Sequence, residues 1–588
     1  MQPSNAAQPI LDRAPCPREA GGASDDQMSA NRPHLDRCPL CSSEGLRYQF
    51  VHGATPIVRC SGCGLLMRNP QPSDAELGAI YTEHYFLGSD EPRALADETS
   101  RLKRQTAAMY LDEIEAKLGV DAHGKRGLRL LELGSGLGNL LVEAASRGYE
   151  VTGVEYAESS VRAANERLAA ARVLQGRIGD VSLPAEYFDV AVLADLIEHT
   201  RDPLGDLRHL WRVLRPGAVL FIASPSLDSW SARLMREHWM EFKNEHLFYF
   251  DSLTMQLLFF KAGFEQVEIE GGRKRLSPDY VIKHFERFPV PLVSPAARFA
   301  RTVLPGPLRR RSITVVASGI NVMGRRAALP PPGERPERLS IVMPVFNERA
   351  TFPLVIDKLL AREIPRMEIE IVIVESNSTD GTREEVRKLE GRSRIRVIYE
   401  DRPRGKGHAV RTGLSYATGD FVLIQDADLE YDLNDYESLL EPLRAGRAAF
   451  VLGARHGMNG QSWKVRHFTD QVIVSQVMNL GHLFFTGLFN RVYGTRLHDP
   501  FTMFKVFRRD CLHGLTFESN RFDFDWELVG KLVRAGYMPL EIPVNYQSRS
   551  FAQGKKVSFL RDPLTWFRAC FKYRFVPLGR RGRTRRAF

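Results

Sequence analysis

The chain has 588 residues, more than one hydrophobic core can hold, so two or three domains are expected. Its 43% hydrophobic and 26% charged residues exclude a wholly disordered or fibrous protein. No uninterrupted apolar run reaches about 18 residues, so the sequence predicts no transmembrane helix.

Residues 1–33 are rich in Ala, Gly, Pro, Ser and Asp and are expected to form a disordered leader. They lack a basic segment followed by an apolar core, so no signal peptide is expected. A zinc ribbon is expected over 34–74. Cys38-Pro-Leu-Cys41 and Cys60-Ser-Gly-Cys63 are two CxxC knuckles with eighteen residues between them. Thiolates spaced this way can converge on one tetrahedral zinc ion. Four thiolates close its coordination sphere, so the zinc would be structural. Cys16, Cys511 and Cys570 stand outside the pattern.

From about residue 100 the texture alternates. An amphipathic helix is predicted over 101–119, then a strand at 128–134, a helix at 138–147, a strand at 150–155 and a helix at 158–170. Strands near 188–194 and 217–224 flank a helix at 203–214. This βαβα rhythm predicts a parallel sheet with helices on both faces. A Pro-rich, charged linker occupies 325–338, RRAALPPPGERPER. A second βαβα series follows: SIVMPVF, a helix at 350–362, EIEIVIVE, a helix at 382–390, RIRVIYE, a helix at 406–417, and FVLIQ. The apolar stretch 471–489 predicts either an interfacial or a core helix. Residues 561–588 hold nine Arg or Lys and one Asp among aromatics, a pattern suited to an anionic surface.

In the first series the strand LLEL ends near Glu132, and Gly134, Gly136 and Gly138 follow before a helix. Such glycines let a backbone turn sharply against a ligand. Glu155 ends the second strand, 23 residues beyond Glu132, where a carboxylate can take ribose hydroxyls. Asp180, the segment ADLIEHT and LRPGAVL complete the set. The set resembles class I S-adenosylmethionine-dependent methyltransferases, over residues 75–324. The resemblance implies a Rossmann-like fold and a cofactor site of Glu132, Gly134, Gly136, Gly138, Glu155, Asp180 and Asp195, with His199 nearby. His246 is a candidate base toward the methyl acceptor, because an imidazole titrates near neutrality. Its alternatives are packing and helix capping.

In the second series, IQDADLEYD places Asp426, Asp428, Glu430 and Asp432 at alternate positions after a buried-type strand. An EF-hand is excluded: its sixth position needs Gly and holds Tyr431, and a strand precedes it. Carboxylates beyond the C-terminal ends of parallel strands mark the ligand side of such sheets. A divalent ion there stabilises a departing diphosphate. With LSIVMPVFNE, GARH, DPFTMFKVFRRD, RFDFDWEL and EIPVNYQSRSFAQGKK, this series resembles inverting family-two glycosyltransferases of the GT-A fold over 339–575, and among them the polyprenyl-phosphate sugar transferases. The resemblance implies a nucleotide-sugar site of Pro344, Glu348, Glu375, Ser376, Lys406, Asp426, Arg455, Arg549 and Lys555, and Mg or Mn on Asp426, Asp428 and Glu430. The family's paired aspartates are replaced here by Glu375 and Ser376, which leaves uridine and guanosine both open. A phosphate acceptor needs cations and no base, and Arg549, Lys555 and Lys556 would supply them. A sugar hydroxyl needs a base, with Asp499 and Asp525 as candidates.

The expected whole is an α/β chain: leader, ribbon, methyltransferase domain, linker, GT-A domain and a basic tail over 576–588. It would be a two-activity enzyme of cell-surface glycan or lipid-linked sugar synthesis, cytoplasmic or at the inner membrane face, in peripheral contact with lipid. One alternative gives the methyltransferase an unrelated small molecule. Another makes the chain a nucleic-acid binder with one degenerate domain. The ribbon argues against that, since Tyr48 and Phe50 are its only aromatics for base stacking.

Overall fold

The computed structural model describes residues 32–53, 55–80, 93–119, 127–168, 172–287, 293–456, 464–465, 472–549 and 561–579. The expected leader through residue 31, with Cys16, lies outside the described residues, as do Lys555, Lys556 and the tail from 580.

Three strands, β1 (Leu46–His52), β2 (Thr55–Cys60) and β3 (Leu66–Arg68), form an antiparallel meander around the four cysteines. Its fourth strand, β9 (Phe248–Tyr249), comes from the next domain and pairs antiparallel with β3. The ribbon is therefore stitched into the methyltransferase-like region. Arg68 is buried and donates to the Lys243 carbonyl at 2.9 Å.

That region is a seven-stranded sheet in the order β10-β11-β8-β7-β4-β5-β6. Its parallel part comprises β4 (Arg129–Leu133), β5 (Glu150–Glu155), β6 (Arg172–Gln175), β7 (Phe188–Ala194) and β8 (Leu214–Pro225). Alternate residues feed the two faces. Leu131, Leu133, Ala191 and Leu193 enter one apolar cluster, while Leu130, Val190 and Val192 enter another. Helices Asn139–Ser146, Glu158–Arg167 and Pro203–Val213 are the predicted crossovers, and the long helix begins earlier than expected, at Arg93–Leu118. The expectation of a purely parallel sheet is corrected: β10 (Phe264–Leu276) and β11 (Ile313–Arg326) add two antiparallel strands at one edge. An antiparallel pair needs no crossover helix, so βαβα rhythm does not reveal it.

The second sheet has the order β14-β13-β12-β15-β17-β16-β18. Strands β12 (Glu337–Val345), β13 (Met367–Glu375), β14 (Ile395–Tyr399) and β15 (Phe421–Ile424) are parallel. Strand β17 (Lys505–Arg508) runs antiparallel to both β15 and β16 (Phe450–Ala454), and β18 (Leu540–Pro543) closes the edge. Here too one face receives Leu339, Ile341 and Met343 and the other Val342 and Val422.

The segment between the sheets is tethered at both sides. Arg212 on the helix after β7 donates to Glu334 at 3.1 Å, and Arg335 donates both terminal nitrogens to Asp420, at 2.8 and 2.7 Å. Phe260 lies 6.1 Å from Phe421, ring centre to ring centre, under the Arg508 guanidinium.

Candidate functional site

The cysteine cluster is the simplest of the candidate sites. Cys38 Sγ lies 3.6 Å from Cys63 Sγ, and Cys41 Sγ lies 3.4 Å from Cys60 Sγ. All four sulfurs fall within 4.8 Å of one another. A zinc ion with bonds of about 2.3 Å sets tetrahedral sulfurs about 3.8 Å apart, so the four fit it. Gly62 is required by space: a Cβ there would stand 3.1 Å from Cys41 Sγ and 2.9 Å from Ser43.

At the C-terminal end of β4 the chain turns through Gly134, at φ 68°, into the loop that opens the Asn139–Ser146 helix. A Cβ on Gly134 would lie 2.9 Å from Leu196, so the position is closed to other residues twice over. Glu155, at the end of the neighbouring β5, accepts the Gly136 N–H at 2.8 Å and the Ala157 N–H at 2.9 Å. Each of its oxygens keeps a lone pair for a further donor. Glu132 is buried, its Oε2 has no partner, and burial together with Glu155 pushes its carboxyl well above the usual range. An orphaned carboxylate oxygen below a glycine loop fits a cationic, hydroxyl-bearing cofactor such as S-adenosylmethionine. Asp180 is exposed, and Asp195 pairs with Lys274 at 2.7 Å.

His246, the candidate base toward the acceptor, lies in the interior. It is 2% exposed, and burial holds its imidazole well below the ordinary range, so it binds a proton weakly. It packs edge-to-face on His199, 4.7 Å between ring centres, beside the buried Glu198.

The second sheet presents a cavity of about 800 Å³ at the C-terminal ends of its parallel strands. Asp426, Asp428 and Glu430 line it together with Lys406 and Arg549. Lys406 Nζ is 2.6 Å from Asp426. Arg549 donates to Asp428 at 2.5 Å and to Glu348 at 3.0 Å, and its backbone N–H reaches Glu430 at 2.7 Å. Burial, reinforced by Asp426 and Glu430, pushes the Asp428 carboxyl up to about 7 against the pull of Arg549. Carboxylate oxygens gathered on one stretch of the cavity wall are the ligand type that a hard divalent ion such as Mg or Mn takes. Asp432, the fourth acid of the run, is turned away: it accepts the Asn434 N–H at 2.9 Å and caps a short 3-10 helix.

Pro344, Glu348, Ser376, Arg455 and Asp525 also line the cavity, whereas Glu375 and Asp499 do not. Glu375 is fully buried and accepts the Ser378 and Asn377 N–H groups at 2.7 and 3.2 Å, so it shapes a loop. Asp499 is fully buried too. It accepts Arg455 Nε at 2.7 Å and Nη2 at 2.8 Å, and the guanidinium holds its carboxyl well below the carboxylate range despite burial. A carboxylate so committed is no general base. Asp525 faces the cavity and pairs with Lys505 at 2.8 Å.

Sequence reasoning missed Lys274, Lys505 and Tyr546. Tyr546 donates to Glu430 at 3.0 Å. Their partners lie 20 to 116 residues away, and no local pattern carries such pairings.

The cavity also has apolar lining, with Val477, Phe485, Pro563 and Trp566. This lining comes from the helices Val472–Tyr493 and Arg561–Phe575. The first has 22 residues and is long and apolar enough to cross a bilayer, which run length alone did not register because polar residues interrupt it. Those interruptions, Ser475, Asn479, His482 and Thr486, are buried, together with Phe489. Its exposed positions include Ile473, Val477, Leu480 and Phe484.

Comparison with known proteins agrees with both halves. Residues 340–515 match the family model of glycosyl transferase family 2, and residues 90–269 match a methyltransferase domain model. The glycosyltransferase AglD of Haloferax volcanii is 26% identical over 264 residues, 44% of this chain and 38% of that protein. An uncharacterized glycosyltransferase of Mycobacterium bovis is 28% identical over 39% of this chain and 94% of its own length. Among solved structures, phosphoethanolamine N-methyltransferase 2 of Haemonchus contortus is 15% identical over 48% of this chain and 71% of its own, with a TM-score of 0.29. The YcgJ protein of Bacillus subtilis is 17% identical over 37% of this chain and all of its own, with a TM-score of 0.27. Behind a four-cysteine cluster of zinc-ribbon type, the chain thus carries a methyltransferase domain followed by a family 2 glycosyltransferase domain.

Proposed function

We propose that the glycosyltransferase domain moves a sugar, with inversion, from a nucleoside diphosphate to a lipid-borne phosphate at a membrane surface. The observation that carries this reading is the mixed lining of the cavity, where acids and cations share one space with apolar side chains from two helices. Asp426, Asp428 and Glu430 would hold Mg or Mn, which when bound neutralises charge developing on the departing diphosphate. Lys406 and Arg549 supply fixed positive charge beside it, and Lys555 is proposed to join them. Pro344, Glu348 and Ser376 would border the nucleotide.

A phosphate monoester or diester oxygen is already ionised at neutral pH. It attacks the anomeric carbon from the face opposite the leaving group, so a new C–O bond forms as the old one breaks. No proton has to be removed. This suits the state of the two candidate bases, Asp499 engaged by Arg455 and Asp525 by Lys505. The apolar lining would receive the lipid chain. The exposed apolar stripe of the Val472–Tyr493 helix, with Leu564, Phe567, Phe571 and Phe575 on its neighbour, would rest on the bilayer.

The methyltransferase domain would act on a sugar or glycan-related acceptor. Its fusion to a sugar transferase supports a shared pathway. The test is a donor and acceptor screen with the full chain. UDP- and GDP-sugars with Mg or Mn are offered polyprenyl phosphate or simple sugars, and products are read by mass spectrometry. A glycosyl-phosphoryl lipid is expected. Transfer only to a sugar hydroxyl would overturn the phosphate reading and make Asp525 the base.

A further inference from the structure

Glu198, His199 and His246 form a cluster on the methyl-donor side of the first domain, and it includes the candidate base His246. They bring one carboxylate oxygen and two imidazole nitrogens within 4.8 Å of one another. Glu198 and His246 are each 2% exposed. Glu198 Oε2 accepts the Ser224 hydroxyl at 2.9 Å, while its Oε1 has no partner. His246 hydrogen-bonds the backbone of Glu241, and its Nδ1 has no partner. His199 in turn hydrogen-bonds the backbone of Glu245. Two orphaned polar atoms, each on a side chain almost wholly out of water, are costly unless something arrives to satisfy both.

One kind of occupant satisfies an oxygen anion and an imidazole lone pair together, and that is a metal ion. An imidazole anchored through a backbone hydrogen bond on one nitrogen, as His246 is, with the other turned to the ion, is the usual arrangement at a metal centre. A shared ion at about 2.1 Å from each ligand brings the three atoms within about 4 Å of one another, so a small rotation of one side chain closes the set. We propose that Glu198, His199 and His246 bind a divalent transition-metal ion beside the methyl-donor loop.

Two imidazoles and a carboxylate favour Zn, Fe, Mn or Co over Mg and Ca, which prefer all-oxygen shells. Three protein ligands leave coordination positions open. The cluster follows β7 directly, and β7 pairs in parallel with β4, whose end carries the glycine loop. Leu196, two residues before Glu198, is the side chain that closes on Gly134. An open position there suits a methyl acceptor with an oxygen donor, a hydroxyl or a diol. That assignment of acceptor rests on the methyltransferase reading, whereas the metal site does not.

The test is cobalt titration of the full chain with zinc already in the ribbon. Cobalt held by nitrogen ligands at low coordination number gives visible bands that an all-oxygen octahedral site barely shows. One equivalent with such bands is expected, lost in Glu198→Gln and in His246→Asn and kept in Asp426→Asn. Absence of the bands from the wild type, or their persistence in both cluster variants, overturns the proposal. S-adenosylhomocysteine binding by calorimetry, run on the same samples, reports separately on the cofactor site and on folding. If either cluster variant fails to fold, the cobalt-edge anomalous map of wild-type crystals decides. A peak within bonding distance of Glu198 Oε1 and His246 Nδ1 is expected. Peaks confined to other sites overturn it.

Discussion

Glu155 gathers the backbone N–H groups of Gly136 and Ala157, and the same carboxylate faces the expected ribose. Glu155→Ala leaves two loop amides without an acceptor and removes the ribose contacts. Charge-assisted hydrogen bonds contribute about 1.5–3 kcal/mol each, so S-adenosylmethionine affinity should fall at least about 100-fold by calorimetry. Unchanged affinity would refute the assignment. In the other domain, Asp428 and Asp432 look alike in sequence but point to different work. Asp428→Asn should lower sugar transfer at least about 100-fold, the scale of losing a charged group at such a centre. Asp432→Asn, which alters only a cap, should stay within about twofold in rate at saturating donor. The buried Arg455–Asp499 pair gives a pH signature. Because the folded Asp499 carboxyl is held below its unfolded value, its contribution is present above about pH 4 and is lost as pH falls further. Asp499→Asn should therefore destabilise the domain by about 3 kcal/mol at pH 7, with the gap from wild type narrowing below about pH 4 in urea melts. Spacing made the four cysteines, the glycines and Glu155 legible, because their chemistry depends on near neighbours in the chain. Lys274 and Lys505 were illegible because their carboxylate partners come from distant elements. The order of Asp499 and Asp525 as bases was illegible because only burial separates them.

The N-terminal part of the Val472–Tyr493 helix turns Ser475, Asn479 and His482 toward the protein and Ile473, Val477, Leu480 and Phe484 outward, whereas its C-terminal part packs Phe489 on the core. On the membrane reading proposed above, lipid would cover those exposed apolar residues. Each large apolar side chain moved out of water contributes about 1.5–3 kcal/mol, so Phe484→Glu should weaken binding to anionic vesicles about 10- to 100-fold in flotation assays. Its fully folded stability should change by no more than about 0.5 kcal/mol, since Phe484 is 61% exposed. Equal vesicle binding by the two proteins would remove the membrane role of this helix. Composition showed that a helix was here, but it could not show which face would be buried, and that depends on the tertiary partner. The parallel strands were legible for a related reason: β7 and β13 are near-continuous apolar runs, as strands covered on both faces must be. Strands β10 and β11 were not, because β10 is only half-buried and mixes charged residues with glycines. Their pairing spans residues that form three other helices.

The two catalytic domains and the ribbon share more than a chain. Strand β9 belongs by sequence to the methyltransferase region and by pairing to the ribbon. Arg335 and Glu334 fasten the connecting segment to opposite domains, and Phe260 sits between the two cores. A Pro-rich, charged stretch reads as a spacer, and the ion pairs that anchor it were invisible until the folds were in place. The reading depends above all on the acids beyond β15. Crystals of the full chain soaked with manganese and either UDP or GDP test them most directly. A manganese anomalous peak bonded to Asp426 or Asp428, with the diphosphate running toward Lys406 and Arg549, is the predicted result. A nucleotide bound elsewhere, or no peak beside those carboxylates, would contradict the account.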